Sequence, residues 1–163
     1  MREIFKLFRV HQYIKNLFIF MPLLFSFSFS NIENNVSTLI AFLLFSILAS
    51  SIYIFNDLMD IDEDKAHPQK KYRPLASGKV SLKTAKMLIL LLSLFSLSLS
   101  LLLNVELFYI LLIYFTLNIL YSVKLKHIAI LDIFIIATGF VLRLFAGSAV
   151  TDIQLSMWII IMT

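Results

Sequence analysis

The sequence contains no cysteine, only three glycines and three prolines, and few charged residues, which make up 15% of the chain. Without cysteine the chain has no disulfide framework, no thiol nucleophile and no thiolate metal site. The net charge of +4 could suggest binding to nucleic acid. The charges lie between long apolar runs, however, so we expect attraction to membrane lipid and to phosphorylated substrates, and no nucleic-acid partner.

Apolar residues are present in large excess. They make up 60% of the sequence, whereas a soluble domain contains about 45–50%. Such an excess needs a lipid solvent, so we predict an all-α fold, a polytopic transmembrane helical bundle.

Windows without charge mark the predicted spans, because about 20 apolar residues cross a bilayer and a charge at its centre is costly. Five spans are expected, with Pro22 as a kink in the first, and a sixth begins near Ile153. The five cover residues 13–30, 34–56, 87–105, 107–123 and 128–148.

Lysine and arginine lie almost entirely on one side of the predicted bundle. Thirteen of the fourteen fall in the N-terminal stretch and in the connections after the second and fourth spans, and the exception is Arg143. Basic residues are enriched in cytoplasmic connections. We therefore expect an integral protein of the cell inner membrane whose active site faces the cytoplasm.

The connection after the second span opens with a dense acidic cluster. Half of the ten acidic residues lie between Asp57 and Asp64. Asp57, Asp60 and Asp64 are spaced i, i+3, i+7 and would point to one face of a helix. Three carboxylates so close repel one another unless a cation lies between them, and oxygen ligands suit Mg²⁺. We predict these three as catalytic metal ligands, with Asn56 contributing its amide oxygen.

A basic loop follows the acidic cluster. Seven of the fourteen basic residues lie in 65–86. Two prolines and a glycine make residues 67–78 a shaped loop rather than a helix. Lys70 and Arg73 are predicted to hold phosphate oxygens, and His67 is a further candidate because it lies beside the acids. The pattern predicts a site for metal and diphosphate at a membrane surface. The alternative is a solvated helix end followed by ordinary cytoplasmic anchoring.

Two motifs carry a resemblance to a known superfamily. Residues 56–64, Asn-Asp-x-x-Asp-x-x-x-Asp, and residues 73–78, Arg-Pro-Leu-Ala-Ser-Gly, resemble the first aspartate-rich motif of the UbiA-type prenyltransferases. Within that superfamily, Gln-Tyr-Ile-Lys-Asn at 12–16, the His-Pro-x-Lys insert at 67–70 and the segment 131–147 are similar to the decaprenyl-phosphate phosphoribosyltransferase branch.

The resemblance implies about nine spans around a central cavity and Mg²⁺-dependent diphosphate chemistry. In most of the superfamily a prenyl diphosphate is the donor. In the phosphoribosyl branch the donor is phosphoribosyl diphosphate and the acceptor is a polyprenyl phosphate. The family's second acidic motif is absent, since only Glu106, Asp132 and Asp152 follow Asp64. We therefore expect residues 1–163 to be the N-terminal portion of a single transmembrane transferase domain, inactive alone.

Other charged and aromatic residues are weaker candidates for the site. Lys15 and Lys126 lie at the predicted cytoplasmic level and could close the polar mouth, although lysines at an interface also snorkel. The resemblance makes Tyr121 a candidate to face the cavity. Asp132 and Arg143 are about 16 Å apart along one helix, too far to pair, so each needs another partner.

Two other functions stay open. A prenyltransferase that acts on an aromatic acceptor such as 4-hydroxybenzoate would share the fold and the metal. A membrane transporter, or a non-catalytic membrane fragment, belongs to another class. Transporters usually place charges near the midplane, whereas the charges here lie at one surface.

Overall fold

A computed structural model describes residues 2–124 and 128–163. Every regular element in these residues is a helix, so the predicted all-α fold class is confirmed. In chain order the elements are α1 (Arg2–Phe8), a 3₁₀ helix (Val10–Phe20), α2 (Met21–Ser26), α3 (Ile32–Met59), α4 (Ile61–Ala66), a short 3₁₀ turn (Lys70–Tyr72), α5 (Leu82–Leu103), α6 (Val105–Val123), α7 (Ala129–Thr151) and α8 (Met157–Met162).

Four of these helices are long and apolar enough to cross a membrane, namely α3, α5, α6 and α7. They correspond to the second to fifth predicted spans. Where the sixth span was predicted to start near Ile153, the structure has the short helix α8, which begins at Met157.

The first predicted span is not one α-helix. It is the 3₁₀ helix followed by α2, and Pro22 lies in the first turn of α2 instead of bending a continuous helix. A 3₁₀ helix has three residues per turn, so side chains three apart lie on one face. Tyr13, Asn16 and Ile19 have this spacing, and all three contact the bundle. The Tyr13 hydroxyl lies 2.8 Å from Ser50 Oγ. The Nδ2 of the buried Asn16 donates to Ser46 Oγ, also on α3, at 2.8 Å.

The central element of the bundle is α3. In its most apolar window 61% of residues are buried, against 17% in α5. One hydrophobic core surrounds it, built with side chains of α6, α7 and the 3₁₀ helix. The buried members are Ile19, Ala41, Leu44, Phe45, Leu48, Ala49, Ile52, Leu107, Leu111, Tyr114, Leu142 and Ala146.

The length of α3 allows its last turns to lie at the membrane surface. Its 28 residues extend about 42 Å at 1.5 Å per residue, whereas the hydrocarbon core is about 30 Å thick. The polar residues Asn56 and Asp57 in the last turn can therefore lie outside the hydrocarbon.

A second, smaller core fixes the loop that follows this helix end. Leu75 and Val80 of the loop pack with Leu7 of α1, Ile54 of α3 and Ala85 of α5. The loop is thereby held against α3, and this packing brings Arg73 of the loop to the acidic cluster.

Close packing of α7 depends on Gly147. A Cβ atom added there would lie 1.9 Å from the Ile19 carbonyl oxygen. Small residues at a helix interface allow backbones to approach this closely.

We therefore expect Gly147→Ala to separate α7 from the 3₁₀ helix and to destabilise the protein by about 1–3 kcal/mol, as overpacking does. Ala137→Ser is the control, since it also adds one heavy atom but at an exposed position of α7. Thermal unfolding in detergent measures both variants, and equal melting temperatures would contradict the packing role of Gly147.

Candidate active site

The acidic cluster lies where α3 ends and α4 begins. Asp60 joins the two helices with a backbone conformation outside the helical region (φ −95°, ψ 9°). Its N–H still donates to the Asn56 carbonyl at 3.0 Å, and the Asp64 N–H donates to the Asp60 carbonyl at 2.8 Å. Asp57, Asp60 and Asp64 therefore do not lie on one continuous helix, because the helix is interrupted at Asp60.

Two of the three predicted carboxylates nevertheless come together. Asp57 and Asp64 are buried, with 3% and 2% of their surface exposed. Arg73 Nη1 donates to Asp57 Oδ1 at 3.1 Å and to Asp64 Oδ2 at 2.8 Å. One guanidinium of the basic loop thus links the end of α3 to α4.

A second arginine, Arg9, was not among the predicted site residues. Its Nη2 donates to Asp57 Oδ1, and its guanidinium lies 5.3 Å from the centre of the Tyr53 ring. Arg9 has a left-handed backbone (φ 49°), which turns the chain from α1 into the 3₁₀ helix. The only signal in the sequence was its position just before the family-like segment 12–16.

The four charges balance in a partly buried setting. Two carboxylates face two guanidinium groups, and charged hydrogen bonds of this kind are stronger than neutral ones. Removal of one partner would leave another buried charge without compensation, which is strongly destabilising.

The side-chain oxygen of Asn56 is a candidate ligand for a metal ion. Its Oδ1 is buried and accepts no hydrogen bond from the residues that the structure describes. An unsatisfied buried acceptor costs about 1–3 kcal/mol, and a cation or a ligand donor would satisfy it. Amide and carboxylate oxygens are the ligands that Mg²⁺ takes, so the donor set here fits that ion.

The predicted three-carboxylate metal site is not preassembled. Among residues 2–124 and 128–163 no group of three or more acidic or histidine side chains is arranged to hold a metal ion. Arg73 Nη1 lies between Asp57 and Asp64, where a shared cation would otherwise lie. The metal role of Asn56, Asp57, Asp60 and Asp64 stays a prediction.

A cavity of about 180 Å³ opens beside the acidic cluster, between α3, α6, α7 and the 3₁₀ helix. It brings two more predicted residues together, Lys15 and Tyr121. The Tyr121 hydroxyl donates to Asp132 Oδ1 at 2.7 Å, which identifies the partner that Asp132 needed. The cavity is lined by Lys15, Tyr53, Tyr114, Asn118, Tyr121, Ile135, Ile136, Gly139, Phe140 and Arg143.

Arg143 is buried beside this cavity, with 5% of its surface exposed. Its Nε donates to Asn16 Oδ1 at 2.8 Å, its Nη1 to the Gly139 carbonyl at 2.6 Å and its Nη2 to the Tyr114 hydroxyl at 3.1 Å. These three groups are the partners of Arg143 that could not be identified from the sequence. Its guanidinium also lies 4.8 Å from the centre of the Phe45 ring.

The remaining predicted residues lie apart from both groups. His67 is exposed and its Nδ1 accepts from the backbone N–H groups of Gln69 and Lys70, which stabilises the loop. Lys70 is also exposed. Lys126 falls outside the described residues. Their roles in substrate binding stay predictions.

Comparison with known proteins then decides the family. The model of the UbiA prenyltransferase family matches residues 19–163. The chain belongs to the UbiA prenyltransferase family. Its four long apolar helices and this membership make it an integral membrane protein, and the resemblance predicted from its motifs is confirmed.

Relatives of the UbiA chain are similar over nearly all of its length. It is 37% identical to the decaprenyl-phosphate phosphoribosyltransferase of Mycolicibacterium smegmatis and 30% identical to that of Mycobacterium tuberculosis. Both alignments cover 96% of this chain, and they cover 50% and 53% of those relatives. The chain therefore spans about half the length of the curated relatives it matches.

A solved structure shows the same fold. It is a UbiA homologue from Archaeoglobus fulgidus bound to DMAPP and Mg²⁺, with a TM-score of 0.78 and 20% identity. The match covers 97% of this chain and 57% of that one.

In this UbiA chain we expect Arg73→Gln to lower the free energy of unfolding by about 2 kcal/mol, because Asp57 and Asp64 lose a shared partner. Lys65→Gln is the control, since its pair with Asp62 is exposed and long at 3.4 Å, and such pairs contribute about 0–1 kcal/mol. Thermal unfolding in detergent compares the two variants. A loss no greater in Arg73→Gln than in Lys65→Gln would refute the stabilising role of the Arg73 network.

Proposed function

We propose that this chain is part of a membrane-embedded, Mg²⁺-dependent transferase that moves a phosphoribosyl group from phosphoribosyl diphosphate to a polyprenyl phosphate. The observation that carries the proposal is the Asp57–Arg73–Asp64 network with Arg9, beside a cavity with further cationic groups. The phosphoribosyltransferase relatives support this choice of substrates. Residues 1–163 would form the N-terminal portion of a single transferase domain.

The proposed reaction makes and breaks one bond at the sugar. A phosphate oxygen of the acceptor forms a C–O bond to C1 of the ribose, the bond from C1 to the diphosphate breaks, and its electron pair leaves with the diphosphate. Negative charge therefore grows on the leaving group. Groups that neutralise this charge stabilise the transition state.

The acidic cluster and the basic loop would supply that neutralisation. Arg73 and Lys70 would hold phosphate oxygens. Arg9 donates to the same carboxylate as Arg73 and would do the same. Bound Mg²⁺ would add positive charge at the leaving diphosphate, held by oxygens of Asn56, Asp57, Asp60 and Asp64. Lys15, His67, Tyr121 and Lys126 would contact the substrates.

The membrane setting matches a lipid acceptor. The last turn of α3 can reach the membrane surface, where a diphosphate would stay in water. The long helices expose apolar side chains, and a polyprenyl tail would enter between such helices from the lipid. The distribution of Lys and Arg supports placing this surface on the cytoplasmic side of the cell inner membrane.

Prenyl transfer to an aromatic acceptor is the second candidate. The observation in its favour is the Archaeoglobus fulgidus homologue, which is bound to DMAPP, a prenyl diphosphate. The same acidic cluster would then hold the diphosphate of a lipid donor.

The proposal predicts labelled lipid when membranes containing the complete protein receive labelled phosphoribosyl diphosphate, a polyprenyl phosphate and Mg²⁺. Removal of divalent cations with EDTA should abolish the product. If no labelled lipid forms and 4-hydroxybenzoate is prenylated instead, the second candidate replaces the first.

The same assay tests the acidic cluster. We expect Asp57→Asn to reduce the rate about 100-fold, equivalent to about 3 kcal/mol of transition-state stabilisation. Asp62→Asn is the matched control: Asp62 is exposed and only five residues away, so its rate should change by less than about twofold. Similar rates in the two variants at equal protein levels would exclude the metal role.

A further inference from the structure

The cavity beside the acidic cluster contains a buried cation that the proposed diphosphate site does not use. We propose that this cavity, with Arg143 and Lys15 as its cationic groups, is a second anion site that binds a phosphate monoester group of a substrate. The inference rests on the proposed function, in which both the polyprenyl phosphate and the 5-phosphate of the donor sugar carry such a group.

The first reason is the uncompensated charge of Arg143. Within the residues that the structure describes, its hydrogen bonds go to an amide oxygen, a backbone carbonyl and a phenol, all of them neutral. None of the described carboxylates forms an ion pair with it. A buried charge without an opposite charge is costly, and an anion in the adjoining cavity would relieve that cost.

The second reason is the rigidity of the guanidinium. Three neutral groups fix its nitrogens, and the rings of Phe45, Tyr114 and Phe140 lie 4.8, 5.1 and 5.5 Å from its carbon. Arginine has five N–H donors, and these recorded bonds use three. A fixed fork with remaining donors matches the oxygens of a phosphate.

The third reason is the chemistry of the lining. A phosphate monoester carries only negative charge and acceptor oxygens at neutral pH, so it needs donors. The cavity offers the Lys15 ammonium and the hydroxyl of Tyr53 besides Arg143. Its space of about 180 Å³ exceeds what a single water needs, about 10–15 Å³.

One side of the cavity is apolar. Ile135, Ile136 and Phe140 line it from α7, and Ile136 is 55% exposed. An apolar wall suits an isoprenoid chain better than a sugar. Of the two phosphate sources, this feature favours the polyprenyl phosphate.

Tyr53 connects this cavity to the diphosphate site. It lines the cavity, and the Arg9 guanidinium that bonds Asp57 lies over its ring. Tyr53 and Asp57 are four residues apart on α3, about 6 Å along the helix axis. Two anion sites that share Tyr53 as a neighbour would suit transfer of a group between two phosphorylated substrates.

Equilibrium binding to the complete protein in nanodiscs, without Mg²⁺ or phosphoribosyl diphosphate, tests the inference. The probes are farnesyl phosphate with farnesol as its neutral counterpart, and ribose 5-phosphate with ribose. We expect Arg143→Gln and Lys15→Gln each to weaken the binding of one of the phosphate probes about tenfold or more, because each loses a charged hydrogen bond. The affinity for farnesol should not change. Arg143→Lys, which keeps the charge, should recover part of the affinity.

Lys83→Gln is the matched control, because it removes one positive charge from an exposed position on α5. It should leave binding of all four probes unchanged. Lys15 is exposed, so its variant tests the inference even if Arg143→Gln fails to fold.

Selective loss of farnesyl phosphate binding assigns the cavity to the acceptor lipid, and selective loss of ribose 5-phosphate binding assigns it to the donor sugar; either result supports the phosphate site. Equal weakening of farnesyl phosphate and farnesol, or no weakening in either variant, would overturn it. A wild-type protein that binds neither phosphate ester but prenylates an aromatic acid would instead overturn the proposed function.

Discussion

The guanidinium of Arg73 bonds two buried carboxylates on different elements, Asp57 at the end of α3 and Asp64 in α4. This interaction closes the loop onto the end of the bundle, and Arg9 secures the N-terminal segment to the same carboxylate. Three parts of the chain therefore meet at one charged cluster. Opposite charges therefore compensate one another in a largely buried cluster.

The environments of Arg73 and Arg143 differ in how the charge is compensated. Arg73 is neutralised by carboxylates, whereas Arg143 is surrounded by an amide, a carbonyl, a phenol and aromatic rings. Aromatic faces attract a cation but carry no net charge. The Arg73 cluster is thus electrically balanced, whereas the surroundings of Arg143 carry an excess of positive charge. Tyr53 contacts Arg9 of the first cluster and lines the cavity beside Arg143.

Much of the fold could be predicted because hydropathy and charge are local properties of the chain. Apolar windows of sufficient length locate α3, α5, α6 and α7, and the acidic motif indicated the UbiA family. The first span was predicted in the wrong form, since its apolar content does not distinguish a 3₁₀ helix from an α-helix. The hydrogen bonds of Tyr13 to Ser50 and of Asn16 to Ser46 favour a helix with three residues per turn. These serines of α3 lie 37 and 30 residues further along the chain.

The sequence by itself determined the all-helical membrane fold, the polar end of α3 and the concentration of acids that follows it. Only the tertiary structure decided that Asp57 pairs with Arg9, 48 residues away, and that Arg143 bonds Asn16, 127 residues away. Helical phase relates residues within a few turns, but partners on different helices meet only when packing sets the distance and rotation of those helices. Gly147 shows the same dependence, because its need for a hydrogen in place of a side chain comes from the Ile19 carbonyl on another element.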